Sequence, residues 1–266
     1  MPVITTDGLR VNYTDEGTGV PIVFVPGLGE TGQWFHFQSS GLSDHYRVIS
    51  YDLRRARGRS SYTLELLADD LARLLTALHI PTAVIAGHSF GGLVALQFAA
   101  SHPDRCPALV LMSTMPSPPS APKAELIAAV VPGGQCAGGF FSKLLKRLFG
   151  PKPNPADQAS DDDLDPLALL TRDSIDLDPA SMAARLNVIQ HTDLTGVLAS
   201  ISMPTLIIAG SLEPPFILSQ SQMMDEAIPD STLEVIENAD HYSFCTRHDL
   251  FNAILAEYLS HAVARL

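Results

Sequence analysis

Thr82-Ala83-Val84-Ile85-Ala86 runs into Gly87-His88-Ser89-Phe90-Gly91, and Gly92-Leu93-Val94-Ala95-Leu96-Gln97-Phe98-Ala99-Ala100 follows. A short apolar run, a G-x-S-x-G corner and a helix-forming stretch in this order read as strand, sharp turn and helix, the context of a nucleophile elbow. The composition has a steric reason. A serine on so tight a corner is held in strained backbone geometry, and glycines two positions either side let strand and helix pass close to it. Its hydroxyl stands at a helix N-terminus, where backbone N–H groups and the helix dipole favour developing negative charge. Taken alone, the five residues also fit an ordinary tight turn. Ser89 is the candidate nucleophile.

A serine hydroxyl needs a base, and the base needs an orienting acid. In the elbow arrangement the acid and then the histidine follow the serine in the chain. Of the nine histidines, His191, His241, His248 and His261 lie far enough downstream. His241 sits in Asn238-Ala239-Asp240-His241-Tyr242-Ser243, between the strand-like Ser231-Thr232-Leu233-Glu234-Val235-Ile236 and a closing amphipathic helix that takes up His248 and His261. The preceding strand, Pro204-Thr205-Leu206-Ile207-Ile208-Ala209-Gly210, runs into Ser211-Leu212-Glu213-Pro214-Pro215, which puts Glu213 where the acid is expected. Asp240 adjoins the base but would have to fold back on it, Asp225 falls mid-helix, and Met112-Ser113-Thr114-Met115-Pro116 offers no carboxylate. The alternative for His241 is a structural histidine.

Upstream, Pro21-Ile22-Val23-Phe24-Val25-Pro26-Gly27-Leu28-Gly29-Glu30 is a buried strand entering a glycine-containing loop. In acyl transfer the oxyanion donors are the backbone N–H after the nucleophile and one from such a loop, here Phe90 and Leu28. Trp34, Phe35 and Phe37 just beyond, with Phe216 and Tyr242, are candidate pocket walls, although each is also a natural core residue.

With these parts assembled, the chain resembles the α/β-hydrolase superfamily over nearly its whole length. Val11-Asn12-Tyr13-Thr14-Asp15-Glu16-Gly17-Thr18-Gly19 is similar to the family's second strand and turn, and Pro26-Gly27-Leu28-Gly29 to its oxyanion loop, with proline where His-Gly is commoner. Tyr51-Asp52-Leu53-Arg54 and Gly58-Arg59-Ser60 resemble the fourth-strand loop, departing from it at Arg55-Ala56-Arg57 and in the abbreviated stretch after Ser60. His102-Pro103-Asp104-Arg105 resembles the turn after the elbow helix. Trp34 and the passage from Asp193-Leu194 to Pro204-Thr205-Leu206 are most similar to enol-lactonase and small carboxylesterase members. The resemblance implies an eight-stranded, mostly parallel α/β sheet flanked by helices, a serine hydrolase and no cofactor.

Composition sets the bounds. At 266 residues and 46% hydrophobic, the chain can bury one large core. It carries neither an apolar run of about 18 residues nor a charged-then-apolar leader, so neither a membrane span nor a signal peptide is expected. Three widely spaced cysteines, Cys106, Cys136 and Cys245, read as reduced thiols in a cytoplasmic protein and show no metal-ligand pattern. A net charge of −12 argues against nucleic-acid binding. No phosphate-cradling glycine motif follows a strand, so no nucleotide cofactor is implied. The sequence is silent on oligomeric state.

Strands are expected near 2–5, 9–14, 21–26, 46–51, 82–87, 108–113, 204–210 and 231–236, with helices near 64–79, 91–101, 217–227 and 248–264. The apolar runs are continuous rather than alternating, as in parallel strands covered on both faces. A core domain of 1–115 and 201–266 is expected, with 116–200 inserted between strands six and seven as a helical cap. Within it, Phe140, Phe141, Leu144, Leu145, Leu148 and Phe149 recur at helical spacing, with Lys143, Lys146 and Arg147 opposite. Phe140, Leu144, Leu145 and Leu148 are therefore candidate substrate contacts, a membrane-surface or acidic-partner role being the alternative. The segment reads equally as a moving lid or a rigid roof. The basic cluster Arg54, Arg55, Arg57 and Arg59 reads as a solvated loop partly paired with Asp69 and Asp70, with anion recognition as the alternative.

The expected activity is hydrolysis of a carboxylic ester or lactone of a partly apolar small molecule. Thioester, amide and C–C bond cleavage use the same constellation, and a cofactor-free lyase or a slow-turnover ligand receptor can share the scaffold.

Overall fold

The computed structural model describes residues 1–56, 62–118 and 178–263. Eight strands form one sheet: β1 (Val3–Thr6), β2 (Leu9–Glu16), β3 (Pro21–Val25), β4 (Arg47–Tyr51), β5 (Val84–His88), β6 (Leu109–Met112), β7 (Thr205–Gly210) and β8 (Ser231–Ile236). Their spatial order is β1-β2-β4-β3-β5-β6-β7-β8. β2 pairs antiparallel with β1 and β4, and every pairing from β4 to β8 is parallel. The expected strands are all present, with ends shifted by a residue or two.

The described helices are α1 (His36–Leu42), α2 (Leu64–Ala77), α3 (Phe90–Ser101), α4 (Pro179–His191), α5 (Pro215–Ala227), α6 (Ser243–Thr246) and α7 (His248–Val263). Alternate residues of the central strands feed two buried layers. Val23, Val25, Ile85, Leu109, Leu111 and Ile207 pack with α2, α3 and α5 on one face. Ile22, Phe24, Val84, Ala86, Val110 and Ile208 pack with α1, α6 and α7 on the other. Both faces are covered, which is why the strands read as unbroken apolar runs.

α1 went unread in the sequence because it is short and crossed by Ser39-Ser40-Gly41, leaving no apolar period to detect. It is held from outside rather than by propensity. Trp34, Phe35 and Leu42 are buried in the second layer. Gln38 donates to the Phe244 carbonyl at 2.7 Å, and Asn252 donates to the Phe37 carbonyl at 2.9 Å.

The described ends of the 116–200 segment are tied to the core. Leu194 N–H donates to the Pro116 carbonyl at 2.7 Å, so the chain leaves and returns at one point. Val188 and Ile189 of α4 and Leu198 beyond it join the first core layer. Phe140, Leu144, Leu145 and Leu148, like Arg57 and Arg59, lie outside the described residues. Of the basic cluster, Arg54 does not simply lie in solvent: it forks onto the buried carboxylate of Asp70, while Asp69 faces Arg73 and His102.

What positions the elbow is the approach of α3 to β3. A Cβ on Gly91 would lie 2.1 Å from the Val25 carbonyl oxygen, and one on Gly87 would lie 2.3 Å from the Gly91 carbonyl oxygen. Backbone on both sides cannot give way cheaply. Gly91→Ala is therefore expected to destabilise the fold by about 1–3 kcal/mol, as overpacking does. The urea midpoint measures this; an unchanged midpoint would mean that α3 has room to move off β3.

Candidate active site

Four loops leave the C-terminal ends of parallel strands and meet. They follow β3, β5, β7 and β8, and each carries one of the expected parts. Ser89 follows the last residue of β5 and precedes α3, with φ 51° and ψ −114°. A non-glycine residue in that region is strained and persists only where its surroundings hold it. They do so at three points. Ser89 N–H donates to the Met112 carbonyl at 2.9 Å, and its own carbonyl accepts from Gly92 N–H at 2.9 Å and Thr114 Oγ1 at 2.7 Å. The side chain is only partly buried.

His241 and Glu213 come together across the loops after β8 and β7. His241 Nδ1 lies 3.0 Å from Glu213 Oε2 and 3.2 Å from Oε1, and both residues are buried. A carboxylate only accepts, so Nδ1 carries the hydrogen and the neutral ring keeps its lone pair on Nε2. Burial alone would lower the imidazole pKa. The carboxylates of Glu213, Glu30 and Asp240 outweigh that, and it stands above its ordinary 6.5. Burial alone would likewise raise Glu213, but His241 prevails and holds the carboxyl below the usual carboxylate range. The Ser113 hydroxyl adds to this by its approach, without forming a close bond.

Asp240 is engaged elsewhere: its Oδ1 accepts from Tyr242 N–H at 3.0 Å and from Thr246 Oγ1 at 3.2 Å, beside the start of α6. Leu28 sits half-buried on the Gly27–Glu30 turn after β3. Phe90 opens α3, where first-turn N–H groups lack intrahelical partners.

The aromatic residues divide. Trp34 and Tyr242 are buried against each other in the second core layer, ring centroids 5.2 Å apart. They spend their faces on packing. Phe216, in the first turn of α5, is half-buried against the first layer.

Glu30 and His88 have no role assigned from the sequence. The structure joins them: His88 Nδ1 lies 2.7 Å from Glu30 Oε1, with both side chains buried. The signal was the pairing of β3 with β5, which brings the ends of those two strands together. Among the described residues no group of three His, Cys, Asp or Glu side chains is arranged to hold a metal ion, and no helix is long and apolar enough to cross a membrane. Cys106 and Cys245 are buried, the Cys245 thiol lying 3.6 Å from the Trp34 carbonyl oxygen, and burial pushes Cys106 up to about 12.

Comparison with known proteins agrees with this architecture. A protein from Yersinia enterocolitica with the provisional name carbamate hydrolase is 30% identical over 252 residues, covering 90% of this chain and 86% of its own. A pimeloyl-[acyl-carrier protein] methyl ester esterase from Aeromonas hydrophila is 28% identical over 260 residues, 94% of this chain and all of its own. Among solved structures, a thermophilic esterase from Thermogutta terrifontis superposes with a TM-score of 0.74 at 26% identity, covering 98% of each chain. The sequence profile of the alpha/beta hydrolase fold matches residues 20–247, and the chain belongs to that family of hydrolases.

Proposed function

We propose that the protein is a serine hydrolase that cleaves a carboxylic ester or lactone of a partly apolar small molecule. The observation that carries this reading is the buried contact between His241 Nδ1 and the Glu213 carboxylate, in a chain whose Ser89 occupies a strained strand-to-helix corner. A relative and a solved structure whose names specify ester cleavage support the ester reading, beside another relative named for a carbamate. In the same proposal, the 116–200 segment is a cap inserted into the core domain.

The chemistry follows the groups. His241 Nε2 takes the proton of Ser89 Oγ as the oxygen attacks the substrate carbonyl carbon. The carbonyl oxygen becomes an oxyanion, and the N–H groups of Leu28 and Phe90 receive it. Glu213 keeps the ring in the productive tautomer and stabilises the imidazolium. Collapse breaks the bond to the alkoxide, which takes the proton from His241 and departs. Water, deprotonated by His241, then attacks the acyl-enzyme and restores Ser89. For a lactone, the alcohol and acid leave as one molecule.

Ser89→Ala is expected to lower turnover of p-nitrophenyl butyrate by about a million-fold and to abolish labelling by a fluorophosphonate. Undiminished labelling of that variant would assign the nucleophile elsewhere. Glu213→Gln is expected to lower kcat by on the order of 1,000- to 10,000-fold, because an amide favours the wrong tautomer. Asp240→Asn should be milder, and the reverse ranking in equally stable variants would transfer the acid role to Asp240.

The pH profile tests the base separately. Protonated His241 accepts no proton, so kcat/KM should rise as pH passes upward through its pKa, which lies above 6.5. Removing the Glu213 charge removes a raising influence, so the acid limb of Glu213→Gln should move to lower pH. An acid limb that ignores that substitution would mean that another group titrates.

A further inference from the structure

The loops after β3, β5 and β8 meet on a buried pair that the reaction above does not use. Glu30 stands on the turn after β3 and His88 ends β5, with Oε1 and Nδ1 2.7 Å apart. The other carboxylate oxygen, Oε2, accepts from Gly27 N–H at 2.6 Å. This closes the turn that carries Leu28, in which Gly29 takes φ +77°. On the far side His88 Nε2 lies 2.9 Å from the His241 carbonyl oxygen. A carbonyl only accepts, so Nε2 carries a hydrogen and donates it. A proton must also lie between Nδ1 and Oε1, since two bare lone pairs at that separation repel. One unbroken path of hydrogen bonds therefore joins Gly27, Glu30, His88 and the backbone of His241.

We infer that Glu30 and His88 are positioning residues, which hold the oxyanion turn and the base-bearing loop in register with the elbow. The inference rests on the serine-hydrolase reading of the site. Neither side chain needs to touch the reacting atoms. Glu30 acts on Leu28 through the turn it closes, and His88 acts on His241 through that residue's backbone. A buried polar path with every partner in place selects one arrangement of the groups it joins. A pair that merely filled space would be replaceable by apolar side chains of similar volume. The Glu30 carboxylate is also among the groups that raise the His241 pKa, which agrees with its nearness.

The test sets two substitutions against each other. E30L/H88L removes the path while leaving no unpaired buried charge. E30Q preserves it: the glutamine oxygen accepts from Gly27, and its amide donates to a His88 ring that keeps its hydrogen on Nε2. For p-nitrophenyl butyrate, kcat of E30L/H88L is expected to fall on the order of 100-fold with KM within about twofold, the scale of an ångström of misplacement. Its phosphonylation by a fluorophosphonate should slow in parallel, and E30Q should recover most of both rates.

A folded E30L/H88L with unchanged kcat overturns the inference, as does an E30Q as slow as the double variant. Should the double variant fail to fold, E30A removes the links to Gly27 and to His88 Nδ1, leaves His88 Nε2 on the His241 carbonyl, and should show the same split between kcat and KM; an unchanged kcat there overturns the inference equally. Peptide mapping of the fluorophosphonate separates the two readings. Label on a residue other than Ser89 sinks the serine reading and this inference with it. Label on Ser89 at the wild-type rate in E30L/H88L sinks the positioning role alone.

Discussion

The contact on which the rest depends is backbone against backbone: the first turn of α3 lies on the end of β3, with no room for even one carbon on Gly91. That approach sets the distance between the elbow and the Gly27–Glu30 turn. It also ties the strain at Ser89 to the sheet, because the Met112 carbonyl of β6 accepts from Ser89 N–H. A strained φ/ψ is a local cost that only a rigid surround can hold. Here the surround is a parallel sheet buried on both faces. The stability of the two core layers is therefore what keeps a reactive geometry in place.

The site is an edge property of the sheet. Parallel pairing from β4 to β8 sends every C-terminal end to the same side, so loops distant in sequence converge without any long excursion. Glu213 and His241 stand on loops that leave adjacent strands. Glu30 and His88 repeat the pattern on β3 and β5. In both pairs a carboxylate meets an imidazole nitrogen, but among the described residues the first imidazole has no hydrogen-bond partner on its second ring nitrogen. His88 has both of its nitrogens committed.

Much of this was legible in the sequence, for identifiable reasons. Continuous apolar runs ending in glycine or proline give parallel strands directly, and G-x-S-x-G after such a run places the corner. That Glu213 and His241 meet was readable because the order of parts along the chain is constrained even where the distances between them are not. Asp240 was expected to have to fold back to reach the base, and in the structure its carboxylate accepts from Tyr242 N–H and the Thr246 hydroxyl instead. What escaped was whatever depends on contacts between distant segments. α1 lacks a period of its own and exists because Trp34, Phe35 and Leu42 are buried. Trp34 and Tyr242 read as pocket walls or as core residues, and it takes the fold to show the two rings packed together in the second layer. The Glu30–His88 pair carries no motif. It becomes visible only once β3 is known to lie beside β5.

The hydrogen bond from Leu194 to Pro116 has an evolutionary side. It pins together the two points where the chain departs from the sheet after β6 and comes back towards β7, so the strands are blind to the length of what runs between. Segments spliced in at such a neck can be lengthened, shortened or exchanged while the register of the sheet stays as it is. The stretch between the two anchor points can thus vary by recombination while the strand ends keep their places.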